Sequence, residues 1–352
     1  MAGVLLYCRA GFENDLANEI QHKAAEYQCY GFVKTKANCG YVRFDCYQAE
    51  DAQKLVQQLP LDELVFARQF FAFGEYFEQL DPQDRIGPLL QASEEFPQCG
   101  DLRVEYADTS EGRELSKFCK KITVPLRQAL RKKNKLSKDT HTGKPVLHVF
   151  FVSGQSAFIG ISFPSNNSPL PLGILRLKFP AQAPSRSTLK LEEAIHLFLT
   201  RQEQQQRFLP GMHAVDLGAC PGGWTYQLVQ RGLFVQAIDN GLMAESLMDT
   251  GQVKHFQEDG FKYRPKKKNV HWLVCDMIEK PDKVARLIAQ WVKQGDCKEA
   301  IFNLKLPMKR RFETWLQARD IIQQELGSQS YQLKAKHLYH DREEITLHLR
   351  LL

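Results

Sequence analysis

The chain has 352 residues, of which 43% are hydrophobic and 25% charged, and its formal net charge is +6. That length suits two or three domains with separate cores, and the charged fraction is that of soluble globular proteins. No apolar run reaches about 18 residues, and the first residues lack the basic region and apolar core of a signal peptide, so we expect neither membrane insertion nor secretion.

The nine cysteines form no C-x-x-C pair and no cluster with histidine at the spacing of metal ligands. Their odd number, together with the position of Cys46, Cys119 and Cys275 inside apolar runs, indicates reduced thiols. We therefore expect a cytoplasmic protein that holds no metal.

Residues 1–75 alternate between short strands and helices. GVLLYC is an apolar strand, ENDLANEIQHKAAEY has the spacing of an amphipathic helix, and YGFVKTKA and GYVRFDC alternate like the two arms of a hairpin. EDAQKLVQQL is a second helix, and ELVFARQFFAFG closes the series as a strand. This βαββαβ order predicts a ferredoxin-like α+β domain.

Residues 76–170 contain the strongest charge signal. We predict a helix around DRIGPLLQASEEF, a strand at DLRVEYAD, a long helix over residues 114–133, and two strands at VLHVFFVS and SAFIGISF. Basic side chains without any acidic neighbour occupy residues 120–138, and they are Lys120, Lys121, Arg127, Arg131, Lys132, Lys133, Lys135 and Lys138. Because such a stripe repels itself unless a polyanion neutralises it, we interpret it as a nucleic-acid contact rather than a solvated helix face.

The stretch SNNSPLPLG at residues 165–173 is rich in serine, proline and asparagine and predicts a linker. Beyond it, residues 171–352 alternate between strands and helices. That alternation predicts a mainly parallel, doubly wound sheet.

Strands of this last region end on polar residues. MHAVDLG ends at Asp216 and a glycine turn, FVQAIDN at Asp239, HWLVCDM at Asp276 and AIFNLKL at Lys305, while VKHFQEDGF contains Asp259. In an open α/β sheet the ligand crevice lies beyond the carboxyl ends of the strands. We therefore expect these side chains to converge on one site.

The glycine turn in VDLGACPGGWTYQLVQRG fits neither common phosphate-binding pattern. No Lys-Ser or Lys-Thr follows Gly222 and Gly223, which argues against a P-loop, and the glycine spacing is not G-x-G-x-x-G. The ligand that remains has a ribose for an acid to bind and a small charged tail instead of a phosphate. S-adenosylmethionine has this character.

Each acid has a predicted role toward that ligand. Asp239 is placed to accept hydrogen bonds from the ribose hydroxyls, as the acid of dinucleotide-binding folds does. Asp259 would accept one from the adenine amino group, and Asp216 and Asp276 would balance the positive charge. Gly222 and Gly223 would let the backbone approach the ligand closely, because neither residue carries a Cβ.

Other residues point to a hydroxyl as the methyl acceptor. No Asn/Asp-Pro-Pro-aromatic run, which suits methylation of an amino nitrogen, follows the fourth strand, and Cys275 is not placed for methylation of carbon. Lys305 lies at a strand exit, and Lys190 begins a helix in SRSTLKLEEA. A partly buried lysine beside a second lysine can serve as a base. Glu343 begins the final strand in HDREEITLHLRLL.

SRSTLKLEEA, VDLGACPGGWTYQL, VCDM, IFNLKL and REEITLHL together resemble the K-D-K-E pattern of the FtsJ-type ribose 2′-O-methyltransferases. The resemblance implies a tetrad of Lys190, Asp276, Lys305 and Glu343, with Lys305 as the general base on the ribose hydroxyl. Glu343 and Glu344 point to opposite faces of a strand, and alignment on the Arg-Glu pair favours Glu343. Contacts to S-adenosylmethionine are implied for Ser187, Cys220, Pro221, Gly222, Gly223, Trp224, Asp239, Asp259 and Asp276.

The stretch LRQALRKKNKLSKDTHTGKPVLHVFFVSGQSAFIGIS resembles a THUMP domain, an RNA-binding module. The expected fold is therefore α/β: a ferredoxin-like α+β domain at residues 1–75, a THUMP-like domain at 76–170, and a Rossmann-like, FtsJ-type S-adenosylmethionine-dependent methyltransferase domain at 171–352. This order resembles a family of large-subunit ribosomal RNA methyltransferases over essentially the whole chain. It implies methylation of a cytidine ribose 2′-oxygen in 23S rRNA before subunit assembly.

Two further basic patches flank the proposed cleft, KYRPKKK with Lys266 and Lys267, and KRR with Lys309, Arg310 and Arg311. Together with the basic helix, we expect them to bind RNA. Two other functions stay open, a non-catalytic RNA-binding or ribosome-assembly factor with a cofactor pocket, and a small-molecule O-methyltransferase. The tetrad favours an enzyme over the first, and the second does not need a basic N-terminal extension. We expect a monomer.

Overall fold

Two seven-stranded sheets organise the chain, one in Met1–Leu175 and one in Arg176–Leu352, and the computed structural model describes all 352 residues. The strands of the first unit are β1 (Gly3–Tyr7), β2 (Gly31–Lys34), β3 (Tyr41–Cys46), β4 (Gln69–Phe77), β5 (Asp101–Tyr106), β6 (Val146–Phe151) and β7 (Ala157–Ser162). Its helices are α1 (Glu13–Glu26), α2 (Asp51–Gln58), α3 (Ile86–Ala92), α4 (Ser110–Glu114) and α5 (Ser116–Lys132).

The first sheet has the order β2-β3-β1-β4-β7-β6-β5 and is antiparallel except for the β5–β6 pair. Residues 1–77 follow the predicted βαββαβ order of a ferredoxin-like unit. Strand β4 pairs with β1 along its first half and with β7 along its second half, so the ferredoxin-like unit and the segment after it share one sheet. Phe71 of β4 and Phe150 of β6 accordingly belong to the same buried cluster.

The segment 165–173 is fastened to this first unit. The Asn166 side-chain amide donates to the carbonyls of Val56 and Leu59, at 2.8 and 2.9 Å. At its far end, the backbone N–H of Leu172 donates to the buried carboxylate of Glu105 at 2.7 Å. Because these side chains satisfy the segment's polar backbone, it lies against the sheet.

The basic helix α5 packs one face on the first sheet. Cys119, Ile122, Leu126 and Leu130 are buried at the three- and four-residue spacing of an amphipathic helix. The predicted start at residue 114 is replaced by a separate helix, α4, whose N-terminal amide of Gly112 is capped by the Thr109 hydroxyl. The basic side chains therefore project from the remaining faces of α5.

The second unit has strands β8 (His213–Leu217), β9 (Phe234–Ile238), β10 (Val253–Phe256), β11 (Val270–Cys275), β12 (Glu299–Lys305), β13 (Tyr331–Lys336) and β14 (Glu344–Leu351). Its helices are α6 (Thr188–Phe198), α7 (Arg201–Arg207), α8 (Gly223–Gln230), α9 (Glu245–Met248), α10 (Pro281–Lys293) and α11 (Arg311–Leu326).

The second sheet has the order β10-β9-β8-β11-β12-β14-β13, and its first five strands are parallel. Strand β14 runs antiparallel between β12 and β13. The chain builds outward from β8 to β10 on one side and then returns to build β11 and β12 on the other. The point where the order reverses, between β8 and β11, is where such sheets open a ligand crevice at their carboxyl ends.

All nine cysteines are free thiols. None of the helices is both long and apolar enough to cross a membrane. No group of three or more His, Cys, Asp or Glu side chains is arranged to hold a metal ion.

Candidate active site

The turn between β8 and α8 leaves no room for side chains at its two central glycines. Gly222 has φ +115°, and a Cβ there would lie 2.2 Å from Leu247 Cδ1. A Cβ at Gly223 would lie 2.1 Å from Ser187 Oγ. The start of α8 therefore packs closely against Ser187 and Leu247, which a Cβ at either glycine would prevent.

The carboxylate of Asp239, just after β9, is held by the glycine turn. One oxygen accepts a hydrogen bond from the Cys220 backbone N–H at 3.0 Å, and the other accepts one from Gly241 at 2.8 Å. Both oxygens keep a further lone pair, so the group can accept hydrogen bonds from a pair of hydroxyls. The exposed Asp259 is anchored more simply, by the Phe261 N–H at 2.9 Å.

Asp216, at the end of β8, is buried and only half satisfied. Its Oδ2 accepts a hydrogen bond from the Thr225 hydroxyl at 2.7 Å, whereas Oδ1 has no partner. Burial raises the pKa of this carboxyl to about 7, and the nearby charge of Asp276 acts in the same direction. An unpartnered buried carboxylate oxygen beside a crevice favours a ligand that carries positive charge or an N–H donor.

Two members of the predicted cofactor set differ in their surroundings. Pro221 is exposed on the turn. Trp224 is 2% exposed and packs in the core with Leu228 and Ala219, because it lies on the buried face of α8. The Trp224 side chain therefore belongs to the core, and the predicted contact of this residue with the cofactor stays a prediction.

Two lysines and two carboxylates meet beside this turn. Lys305, the last residue of β12, lies 2.5 Å from Asp276 and 3.9 Å from Glu344. Lys190, on the first turn of α6, contacts Glu344 and lies 3.5 Å from Asp276. Helix α6, strands β12 and β14 and the end of β11 therefore bring the four side chains into one group. We call this group the lysine–carboxylate cluster.

The two lysines of the cluster differ in burial. The Lys190 side chain is 14% exposed and that of Lys305 is 24% exposed. Burial lowers the pKa of Lys190, but the carboxylates of Asp276 and Glu344 outweigh it and raise that pKa above its ordinary value. Lys190 therefore stays protonated, and Lys305 is the more accessible of the two lysines.

The fourth member of the cluster is Glu344, and the predicted Glu343 is wrong. Glu344 is the register partner of Lys305 across β12 and β14, and its side chain is 7% exposed. Glu343 points to the other side of the strand, is 50% exposed, and lies 2.6 Å from the Arg311 guanidinium. The reason is the alternation of a strand, in which a shift of one residue exchanges the two faces.

Asn303, a buried amide on β12, connects the cluster to the interior. Its Nδ2 donates to Asp276 at 2.9 Å, and its Oδ1 accepts from the Thr346 hydroxyl at 2.7 Å. The same hydroxyl lies 3.0 Å from Asp341, whose pKa is raised well above its ordinary value by burial and then by the charge of Glu344. The Thr346 hydroxyl thus joins Asn303 to the buried carboxyl of Asp341, and Asn303 continues the chain of hydrogen bonds to Asp276.

Sequence reasoning missed Asn303 and Thr346. The signal was present, because an asparagine inside the apolar strand AIFNLKL must find partners when it is buried. We call this chain of hydrogen bonds, Asp341–Thr346–Asn303–Asp276, the interior relay.

Most of the predicted RNA-binding cations are exposed. On α5 and directly after it they are Lys120, Lys121, Arg131, Lys132 and Lys133, and in the second unit Lys266, Lys267, Lys309 and Arg310. Arg127 is half-buried and lies 3.6 Å from Asp101. Arg311 is buried against Glu343, so its prediction as an RNA contact is wrong, because its guanidinium is committed to an ion pair inside the fold.

Family models match three parts of the chain. The one described as the RlmM ferredoxin-like domain matches residues 1–71, and the one described as ribosomal RNA large subunit methyltransferase M, N-terminal, matches residues 84–163. The one described as FtsJ-like methyltransferase matches residues 183–305. The last range contains the glycine turn and every member of the lysine–carboxylate cluster except Glu344.

Relatives named ribosomal RNA large subunit methyltransferase M are similar over the full length. The one from Pseudoalteromonas atlantica is 60% identical over 100% of this chain and 99% of that protein, and the one from Vibrio parahaemolyticus is 56% identical over 99% and 98%. The solved structure of TrmN from Thermus thermophilus covers 100% of both chains with 15% identity and a TM-score of 0.37, a likeness too weak to bear on this chain. With these identities along its whole length, the chain belongs to the ribosomal RNA large subunit methyltransferase M family.

Proposed function

We propose that this protein transfers a methyl group from S-adenosylmethionine to the ribose 2′-oxygen of a cytidine in 23S rRNA, acting on the RNA before subunit assembly. The observation that supports this most is the lysine–carboxylate cluster at the strand ends next to the glycine turn. The names of the full-length relatives supply the class of substrate.

The residues around the turn fit the cofactor. Asp239 has lone pairs left for the ribose hydroxyls, and the amides at the start of α8 approach without a Cβ between them. The unpartnered Oδ1 of Asp216 suits the cationic end of the molecule. Ser187, Cys220 and Asp259 would complete the contacts. When bound, S-adenosylmethionine would supply a methyl group attached to a positively charged sulfur. The positive charge makes this methyl group easy to transfer to an oxygen nucleophile.

Lys305 is the proposed general base. Lys305 Nζ would accept the proton of the ribose 2′-hydroxyl, and bound S-adenosylmethionine would supply the methyl group to that oxygen. Lys190 stays protonated, because Asp276 and Glu344 raise its pKa, and its charge compensates these two carboxylates. General-base assistance of this kind contributes roughly 10²–10⁴-fold to a rate, and positioning supplies much of the rest.

The division of the chain fits an enzyme with a large substrate. We propose that the THUMP-like region and the basic face of α5 hold RNA, while the second unit performs the transfer. Lys309 and Arg310 follow Lys305 within five residues, where exposed cations can contact the phosphates near the target ribose.

The test is transfer of radiolabelled methyl groups to 23S rRNA transcribed in vitro, followed by mapping of 2′-O-methylation. We expect one methylated cytidine, and Asp239→Ala should weaken S-adenosylmethionine binding while RNA binding is kept. RNA binding without any methyl transfer would favour the non-catalytic assembly factor. Transfer to nucleosides that needs none of the first 175 residues would favour a small-molecule enzyme.

A further inference from the structure

One face of the β10-β9-β8 edge of the second sheet is open near the amino-terminal ends of β8 and β9, whereas Val215, Leu217 and Ile238 further along that face are buried. Alternate residues on these strands point to it, among them His213, Phe234, Gln236 and Lys254. The opposite face carries Ala214, Val235 and other residues of the core. The chain passes from β10 to β11 through residues 257–269 without forming a helix.

The result is a groove of about 510 Å³, here called the edge groove, between the open face and the segment 257–269. Its outer wall is held firmly. The Tyr263 hydroxyl donates to the Gln236 side chain, and the Arg264 guanidinium donates to the carbonyls of Phe261 and Tyr263 while it lies over the ring of Trp291. The groove is therefore a formed feature of the fold.

Aromatic rings line the edge groove, and Phe234 is the exposed one among them. Phe234 is 46% exposed, and its ring centroid lies 5.8 Å from that of His213. Phe256 and Tyr263 form a second pair with centroids 5.7 Å apart. A large apolar ring left in water inside a polar groove suits a planar partner that stacks on it, as unpaired bases do.

Positive charge surrounds these rings. Lys254, Lys266 and Lys267 are exposed at the groove, and Glu258 is the single carboxylate among its lining residues. The Lys254 ammonium lies 5.1 Å from the ring centroid of Phe256. Cations alternating with aromatic rings are the arrangement that tracks a phosphate backbone while its bases stack.

We propose that the edge groove binds a single-stranded segment of the RNA substrate, with a base on Phe234 and His213 and phosphates on Lys254, Lys266 and Lys267. This rests on the proposed function and adds to it a second RNA contact within the catalytic unit. His213 and Phe234 lie at the amino-terminal ends of β8 and β9, whereas the lysine–carboxylate cluster lies at the carboxyl ends of the sheet. The bound nucleotides are therefore remote from the target ribose and contribute affinity rather than chemistry.

The experiment measures the affinity of the full-length protein for its RNA and for a fluorescent single-stranded oligonucleotide by anisotropy. Phe234→Ala should weaken binding of the RNA about five-fold or more, since stacking of one base on an aromatic ring is worth roughly 1–3 kcal/mol, and Phe234→Trp should retain it. Leu197→Ala, at a similarly exposed apolar residue on α6, should leave the affinity unchanged.

The paired substitution of Lys266→Ala and Lys267→Ala should reduce the slope of log affinity against log salt by roughly 1.4, because each single-strand phosphate contact contributes about 0.7. The rate of methyl transfer at saturating RNA should stay at the wild-type value in the Leu197→Ala control. Unchanged affinity and salt slope in the groove variants would overturn the groove assignment. If the wild type bound RNA but transferred no methyl group, the proposed function would fail while the groove assignment stood.

Discussion

Lys305 and Glu344 face each other across β12 and β14, and Glu344 also reaches Lys190, whereas its neighbour Glu343 pairs with Arg311 on the other side of the strand. Two adjacent carboxylates thus have separate partners. The pair provides a matched comparison, since the same chemical change can be made one residue apart.

Glu344→Gln should lower the rate of methyl transfer by at least roughly ten-fold, because it removes the carboxylate that holds Lys190 and Lys305 together. Glu343→Gln should leave transfer within about two-fold of the wild type, since the Glu343 carboxylate contacts Arg311 and takes no part in the lysine–carboxylate cluster. Single-turnover transfer to saturating RNA measures both. The reverse order of effects would restore Glu343 to the cluster.

Asn303→Leu should reduce the transfer rate while S-adenosylmethionine still binds. The substitution keeps the approximate volume of the buried side chain but removes the amide that joins Asp276 to Thr346. Thr346→Val, which breaks the interior relay one step further away, should have a smaller effect in the same direction. Calorimetric titration of S-adenosylmethionine separates this positioning role from loss of the fold. Normal methyl transfer by Asn303→Leu would show that Asn303 has no such positioning role.

Asp216 predicts a dependence of stability on pH. Its carboxyl is buried and its pKa is raised to about 7, so the folded state holds a proton that the unfolded chain has already lost. The stability this proton gives is complete below about pH 4 and is lost as the pH rises through about 7.

Asp216→Asn should therefore stabilise the cofactor-free protein relative to the wild type at pH 8 more than at pH 5, by roughly 3 kcal/mol. Unfolding by denaturant at the two pH values, followed through a probe in the second unit, measures the difference. A difference between variant and wild type that is the same at both pH values would show that Asp216 ionises normally in the folded protein.

The exposed cations of α5 should contribute to RNA affinity, and Arg127 on the same helix should contribute less. Lys132→Ala and Lys133→Ala together should weaken RNA binding and reduce its salt dependence. With fewer phosphate contacts, fewer counterions are released when the RNA binds. Arg127→Ala is the control, since its guanidinium is already placed near Asp101. Equal effects of the lysine pair and of Arg127 would argue against a contact through the exposed face.

The residues at the strand ends of the second unit could be predicted from the sequence, whereas the register between neighbouring strands could not. Asp216, Asp239, Asp276 and Lys305 could be placed together because apolar strands alternating with helices imply a parallel sheet with one open edge. The choice between Glu343 and Glu344 could not be made, since it depends on the register of β14 against β12, and a slip of one residue reverses it.

Non-local pairing limited the other predictions. A boundary near residue 75 follows from local composition, yet β4 runs through that position and pairs with β7 more than eighty residues later. The partner of Arg311 is a residue on a strand far along the chain, so a run of basic letters could not reveal that this one is buried. Local patterns specify elements, and tertiary pairing decides which side chains remain free.

The role of Lys305 is tested most directly by Lys305→Ala in single-turnover methyl transfer, with S-adenosylmethionine affinity measured on the same preparation. Lys305 is half-buried and is not needed for the glycine turn, so the variant should bind the cofactor as the wild type does. We predict a loss of transfer of about 10²-fold or more with unchanged cofactor affinity. Transfer close to the wild-type rate would contradict the proposal that this lysine removes the proton from the ribose hydroxyl.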